Sequence, residues 1–124
     1  MNASPKILIA DDEPNIVLSL EFLLQQHGYQ TAAARNGGET LQLITVFAPD
    51  LILLDIMMPL YDGFEICKRI RENPATRHIK IILLTARGRN AEIEKGLALG
   101  ADVYVTKPFS TSALLAEIQK LMAR

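Results

Sequence analysis

Residues 51–59 have the sequence Leu-Ile-Leu-Leu-Asp-Ile-Met-Met-Pro, in which four apolar residues lead directly into Asp55. An apolar run without polar alternation is typical of a strand covered on both faces, as the strands of a parallel sheet are. Four further short runs, apolar or rich in β-forming residues, occur along the chain. The predicted strands cover Lys6–Ala10, Tyr29–Ala34, Leu51–Leu54, Ile79–Leu84 and Val103–Val105.

The segments that follow these runs have helical periodicity and helix-start signals. A proline suits a first helical turn, and a short polar residue three positions before a glutamate has the spacing of a capping box. Ser110 is a further residue that can cap a helix. The predicted helix starts lie at Pro14, at Asn36 with Glu39, at Asp62 with Glu65, and at Ser110.

The fourth helix has the weakest sequence signal. Ile93 and Leu97 are predicted to form its apolar side, and Gly100 is predicted to end it. Gly88 and Gly96 lower the intrinsic helix propensity of this segment.

Five strand–helix units of about 25 residues each indicate an α/β protein. Right-handed crossovers leave few topologies for five parallel strands, and the order 2-1-3-4-5 is favoured. The chain has 124 residues, so one domain covering residues 1–124 is predicted. The 2-1-3-4-5 order places a ligand crevice outside the carboxyl ends of strands 1 and 3.

The composition excludes several classes of protein. A formal net charge of −1 argues against binding of nucleic acid or anionic membranes through bulk charge. A single cysteine, Cys67, excludes an intramolecular disulfide and a cysteine-rich zinc site. No apolar run approaches the roughly 18 residues of a membrane helix, and no signal peptide is recognisable, so a cytoplasmic protein is expected.

Chemically active side chains follow four of the five predicted strands. They are Asp11 and Asp12 after strand 1, Asp55 after strand 3, Thr85 after strand 4 and Lys107 after strand 5. The predicted topology brings these ends to one edge of the sheet. Neighbouring carboxylates repel one another unless a cation is present, and carboxylate oxygens suit Mg²⁺. An aspartate can act as a nucleophile, so the pattern predicts transfer of a phosphoryl group to Asp55.

These motifs resemble the receiver domain of two-component response regulators, and the resemblance covers the whole chain in family order and spacing. It implies a CheY-like, flavodoxin-like doubly wound (βα)5 fold. The segments that carry it are Asp11–Pro14, Asp55–Pro59 with Asp62 and Gly63, Thr85 with Ala86, and Tyr104–Phe109.

The resemblance implies a role for each matching residue at the phosphorylation site. Asp55 would accept a phosphoryl group from the phosphohistidine of a sensor histidine kinase or histidine phosphotransfer protein. Asp12 and Asp55 would bind Mg²⁺ (or Mn²⁺) directly, Asp11 would bind it largely through water, and the backbone carbonyl of Met57 would complete the protein ligands. Lys107 would contact the phosphoryl group.

The resemblance also implies a switch. Thr85 would move toward the phosphoryl group, and Tyr104 would turn inward, which would remodel the surface of helix 4, strand 5 and helix 5 for a downstream effector or output domain. The peptide bond between Lys107 and Pro108 is expected to be cis. The pocket rim would consist of Met57, Ala86, Arg87 and Pro108.

Several alternatives stay open at this point. A phosphatase of the haloacid dehalogenase type also uses an aspartate nucleophile, but its Asp-x-Asp arrangement is absent from the first loop. A flavodoxin-like flavin carrier would need a Ser-, Thr- and Gly-rich first loop, whereas this one is acidic. A degenerate receiver that only binds partners is disfavoured by the complete acidic set. A signalling module with Mg²⁺-dependent self-phosphorylation and self-dephosphorylation, rather than an enzyme, is therefore expected.

The wider assembly is less determined by the sequence. The chain is predicted to bind neither nucleic acid nor membrane directly. It is either a single-domain regulator or a receiver taken from a longer protein. A phosphorylation-dependent homodimer is also open, although Val103 occupies the place where winged-helix regulators usually carry an acid.

Overall fold

The computed structural model describes residues 4–86 and 89–123, and strands and helices alternate throughout them. The five strands are β1 (Lys6–Ala10), β2 (Gln30–Ala34), β3 (Leu51–Asp55), β4 (Lys80–Ala86) and β5 (Val103–Lys107). The five helices are α1 (Pro14–Gln26), α2 (Gly37–Val46), α3 (Gly63–Glu72), α4 (Asn90–Ala98) and α5 (Thr111–Met122).

The strands form one parallel sheet in the order β2-β1-β3-β4-β5, which confirms the predicted fold class and topology. Five predicted strand ends differ from the structure. β2 and β4 each begin one residue later, while β3 continues one residue, and β4 and β5 two residues, beyond their apolar runs. Pairing of Thr85 with Thr106, and of Ala86 with Lys107, extends both strands to the edge where the polar side chains lie. Backbone pairing therefore holds these residues in the strands. The apolar runs did not predict this, because Thr85, Thr106 and Lys107 are polar.

Two apolar cores cover the sheet, one on each face. Helices α1 and α5 pack on one face around a core that includes Ile9, Leu53 and Leu114. Helices α2 and α3 pack on the other face, around a core that includes Leu54 and Ile66. Burial on both faces explains why the central strand is apolar at every position before Asp55.

The predicted helix caps are confirmed. The side chains of Asn36 and Asp62 accept hydrogen bonds from the backbone N–H groups three residues later, at 2.8 Å and 3.0 Å. Ser110 accepts from the N–H of Ala113 at 3.2 Å. Gly28 and Gly100 follow α1 and α4 with φ of 87° and 110°, the left-handed backbone that glycine adopts without strain.

Helix α4 differs from its prediction in the face that it buries. Ile93 is buried as expected, but Leu97 is exposed and Gly96 is buried in its place. A Cβ atom at Gly96 would overlap with the Leu83 side chain, so glycine allows α4 to approach β4 closely. Among the described residues, no helix is long and apolar enough to cross a membrane.

Candidate functional site

Three carboxylates meet at the carboxyl edge of β1 and β3. One carboxylate oxygen each from Asp11, Asp12 and Asp55 lies within 4.8 Å of the others. Asp11 follows β1, and its N–H donates to the carbonyl of Ala34 at 3.0 Å. Asp11 and Asp55 are buried, whereas Asp12 is exposed. The adjacency of β1 and β3 therefore brings together acids that are more than forty positions apart in the chain.

Lys107 reaches this cluster from the end of β5. Its Nζ lies 2.8 Å from Asp11 Oδ2, 2.8 Å from Glu13 Oε1 and 3.4 Å from Asp55 Oδ2. One ammonium group thus contacts three carboxylates, and together with Asp12 the site has four acids and one base. The pocket consequently keeps an excess of negative charge.

The ionisation of the pocket follows from burial and these contacts. Burial raises the pKa of Asp55 above its ordinary value, and the charge of Asp11 adds to this, against the Met57 N–H and the Lys107 charge, which lower it. Burial alone would lower the pKa of Lys107, but its contacts with the carboxylates of Asp11, Glu13 and Asp55 together outweigh burial and raise the pKa. Lys107 is therefore charged at any physiological pH.

The Asp11 side chain leaves one oxygen without a hydrogen-bond donor. Oδ1 accepts from the N–H of Glu13 at 2.9 Å, whereas Oδ2, although buried, accepts no hydrogen bond from residues 4–86 or 89–123. Its 2.8 Å contact with Lys107 Nζ has the geometry of an ion pair only. A buried carboxylate oxygen with a free lone pair, beside two further carboxylates, fits a hard divalent cation such as Mg²⁺.

The loop between β3 and α3 orients Asp55. The N–H of Met57 donates to Asp55 Oδ1 at 3.0 Å, while the Met57 side chain is exposed at the pocket rim. Leu60 and Tyr61 both have φ of 53°, a left-handed backbone that is uncommon for residues other than glycine. The sequence contains no signal for this pair, because left-handed residues are usually Gly, Asn or Asp.

The two residues predicted to form the switch lie on adjacent strands. Thr85 is 2% exposed and follows Leu84, which pairs with Asp55. Tyr104 pairs with Leu83 and is 43% exposed, so its ring lies outward in this structure. Side chains two residues apart in a strand lie on the same face of the sheet, and so do the side chains of paired residues on neighbouring strands. Thr85 and Tyr104 therefore lie on the same face.

Two further residues predicted to form the rim are Ala86, which ends β4, and Pro108, which follows a cis peptide bond at Lys107 as expected. Arg87, the fourth predicted rim residue, lies outside the described residues. Thr85 is not the cap of α4, because that helix starts after Arg89, and Thr85 Oγ1 donates to the carbonyl of Ala86 at 3.5 Å.

This combination of fold and acidic site matches one family. The model of the response regulator receiver domain covers residues 7–119. The chain belongs to this family. The match confirms the resemblance inferred from the motifs, and it makes this chain a receiver domain of two-component response regulators.

Individual relatives give the same result. The phosphate regulon transcriptional regulatory protein PhoB of Rhizobium meliloti (strain 1021) is 40% identical over 120 residues, which are 97% of this receiver domain and 53% of PhoB. The chain thus spans about half the length of this curated relative. The structure of the BeF3-activated DrrB receiver domain is 36% identical, with a TM-score of 0.88 and coverage of 98% and 99% of the two chains. Chemotaxis protein CheY4 of Vibrio cholerae is 31% identical, with a TM-score of 0.89 and coverage of 96% and 99%.

Two features of this receiver domain were not predicted from its sequence. Glu13 belongs to the Asp11–Pro14 motif, and the sequence predicted no contact for it, but its Oε1 lies 2.8 Å from Lys107 Nζ. Its place directly after two aspartates at a strand end could have indicated this. Gly37, at the start of α2, contacts the β3–α3 loop, and the only signal for that is a glycine directly after the capping Asn36.

Proposed function

We propose that this receiver domain accepts a phosphoryl group on Asp55 in the presence of a divalent cation, Mg²⁺ or Mn²⁺. The observation that carries the proposal is the buried Asp55 carboxylate, held by the Met57 N–H at 3.0 Å and facing Lys107 Nζ at 3.4 Å, inside a cluster of three carboxylates. Such an arrangement needs added positive charge before it can admit a phosphoryl group.

Each polar group has a task in this transfer. A carboxylate oxygen of Asp55 forms a bond to phosphorus, the bond from phosphorus to the donor histidine nitrogen breaks, and the nitrogen keeps the electron pair. The Met57 N–H fixes the orientation of the carboxylate. The positive charge of Lys107 stabilises the negative charge on the oxygens of the transferred phosphoryl group. Asp11, Asp12 and Asp55, with the backbone carbonyl of Met57, would hold the cation, which supplies the charge that offsets the incoming phosphoryl oxygens.

The proposed phosphorylation acts as a switch rather than as turnover of a substrate. Thr85 is buried beside the pocket, and Tyr104 is exposed on the neighbouring strand, so an inward turn of Tyr104 as Thr85 moves toward the phosphoryl group changes the surface of α4, β5 and α5. A sensor histidine kinase or phosphotransfer protein is the proposed donor. Similarity to half of a transcriptional regulator supports an output domain or effector as the reader of that surface.

The test is a phosphorylation assay on the intact protein. Incubation with acetyl phosphate and Mg²⁺ is expected to add one acid-stable, alkali-labile phosphate, detected by intact mass. The Asp55→Asn variant is expected to show no adduct, and a chelator is expected to abolish the adduct on the unaltered protein. Survival in mild acid separates an acyl phosphate from phosphohistidine, and cleavage by neutral hydroxylamine separates it from phosphoserine.

A matched control lies at the other end of the same strand. Asp50 precedes β3 and accepts from the N–H of Lys6 at 2.8 Å, far from the carboxylate cluster, so Asp50→Asn is expected to label like the unaltered protein. A phosphate that persists in Asp55→Asn would contradict the proposal. So would the absence of both a phosphate adduct and beryllofluoride binding in the unaltered protein.

A further inference from the structure

The first turn of α2 lies against the β3–α3 loop at a distance that only glycine permits. The N–H of Gly37 donates to the carbonyl of Pro59 at 2.9 Å. A Cβ atom at Gly37 would overlap with the carbonyl oxygens of Leu60 and Tyr61, and it would lie 2.6 Å from Tyr61 Cβ. The φ of Gly37 is not in the left-handed region, so close approach rather than backbone conformation requires this glycine.

The loop that Gly37 contacts has an unfavourable backbone. Leu60 and Tyr61 are consecutive left-handed residues, a backbone conformation that is unfavourable for residues other than glycine. Their side chains are 65% and 48% exposed, so their own burial stabilises the loop little. Strained backbone persists where surrounding contacts impose it, and the first turn of α2 provides such contacts here.

The same loop is connected to the proposed phosphoacceptor. Its first part carries the Met57 N–H that binds Asp55 Oδ1 at 3.0 Å. At its far end, the N–H of Gly63 donates to the carbonyl of Ile56 at 3.0 Å, and a Cβ at Gly63 would lie 2.9 Å from the Asp55 carbonyl oxygen. Because the loop is closed at Ile56, directly after β3, we expect a shift of residues 59–61 to reach Met57 and the Asp55 carboxylate.

We infer that Gly37 is a positioning residue of the acidic pocket, which acts through the β3–α3 loop to hold the Met57 backbone and the Asp55 carboxylate in place for cation binding and phosphorylation. The inference rests on the proposed function. It assigns to α2, which contributes no side chain to the carboxylate cluster, a part in setting the affinity of the pocket for Mg²⁺.

The neighbouring glycine provides a matched control. Gly38 is in the same helical turn, but a Cβ there would lie 3.2 Å from Asn36 Oδ1 and 3.9 Å from Leu60 Cδ1, without backbone overlap. Both Gly37→Ala and Gly38→Ala raise helix propensity equally. Gly37→Ala is expected to weaken Mg²⁺ binding about tenfold, as loss of an outer-shell partner does, and to slow labelling by acetyl phosphate. Gly38→Ala is expected to leave the Mg²⁺ affinity within about twofold of the unaltered protein.

A second measurement uses the unaltered protein and is informative even if Gly37→Ala does not fold. If the contact between Gly37 and Pro59 favours cation binding, then cation binding strengthens that contact by the same factor. Amide hydrogen exchange followed by NMR is therefore expected to slow at Gly37 when Mg²⁺ is added, and to stay unchanged at Gly38.

The outcomes separate this inference from the proposed function. A folded Gly37→Ala variant with unchanged Mg²⁺ affinity would overturn the inference, and so would exchange at Gly37 that does not respond to Mg²⁺. If the unaltered protein binds Mg²⁺ but is never phosphorylated, the proposed function fails, while the effect of Gly37→Ala on the Mg²⁺ affinity still decides the role of Gly37.

Discussion

Lys107 is the residue on which the charge balance of the pocket depends. Its ammonium group contacts Asp11, Glu13 and Asp55, and it is only 18% exposed, so its charge is poorly screened by water. One positive charge cannot neutralise those three acids and Asp12. The residual negative charge favours a cation and repels a free phosphoryl group, so we expect cation binding to precede the proposed phosphorylation.

The raised pKa of Asp55 predicts how stability depends on pH. Burial makes the folded protein hold this proton more tightly than the unfolded chain does, so stability falls as the pH rises from the ordinary carboxyl value through the higher folded value. Above that window the buried charge opposes folding in full. Asp55→Asn removes the charge, and without Mg²⁺ at neutral pH it is expected to raise the Tm by about 4 °C, which corresponds to about 1 kcal/mol.

Thermal unfolding monitored by circular dichroism checks this prediction. The gain from Asp55→Asn is expected to shrink as the pH is lowered to about 3, where the carboxyl group is protonated in both states. Asp50→Asn is the control, because Asp50 is an exposed carboxylate at the other end of the same strand. A gain of equal size at both pH values would contradict the explanation by burial.

The packing of helix α4 on the sheet depends on a glycine. Gly96 lies within α4 and is buried, and the Leu83 side chain occupies the space that a Cβ atom would need. Glycine in a helix interior costs about 1 kcal/mol relative to alanine, so the close contact with β4 has to outweigh that cost. The helix that the switch is proposed to move thus packs on the sheet through Ile93 and one residue without a side chain, Gly96.

Gly96→Ala tests this packing. In an exposed helix the substitution stabilises by about 1 kcal/mol, whereas here it is expected to destabilise by about 1–3 kcal/mol because Leu83 is fully buried and has little room to move. Combined with Leu83→Ala, it is expected to cost less than the two single substitutions added together. Urea unfolding of the four proteins measures this coupling, and additive costs would show that Leu83 is not the obstacle.

The same helix marks the limit of what the sequence could predict. Strand order and the convergence of Asp11, Asp55 and Lys107 followed from apolar runs and their chain order, because topology places strand ends at one edge. The buried face of α4 did not follow, since Gly96 carries no hydrophobic signal and Leu97 carries a misleading one.

The contacts of the β3–α3 loop were equally invisible to the sequence patterns. They depend on the close approach of two backbones, at Gly37 and at Leu60, rather than on residue type. The roles of Thr85 and Tyr104 as a switch stay predictions.

At the scale of the whole molecule, the net charge of −1 conceals a separation of charge. The four acids of the pocket and Lys107 have a formal charge of −3, so the rest of the chain carries +2. The uneven distribution is built by the sheet, because β1, β3 and β5 end at the same edge and deliver their charged residues there. Folding therefore creates a repulsion that a divalent cation would relieve, and the unfolded chain has no such cluster.

Mg²⁺ is accordingly expected to stabilise the folded protein by mass action. At a concentration one hundred times the dissociation constant, the free energy of unfolding rises by about 2.7 kcal/mol. Asp12→Asn removes an exposed member of the cluster, so it is expected to be folded, to be slightly more stable than the unaltered protein without Mg²⁺, and to gain much less on its addition. Urea unfolding with Mg²⁺, compared with Na⁺ at the same ionic strength, separates binding from charge screening. Equal stabilisation by the two salts, or an undiminished gain in Asp12→Asn, would mean that the three carboxylates do not hold the ion.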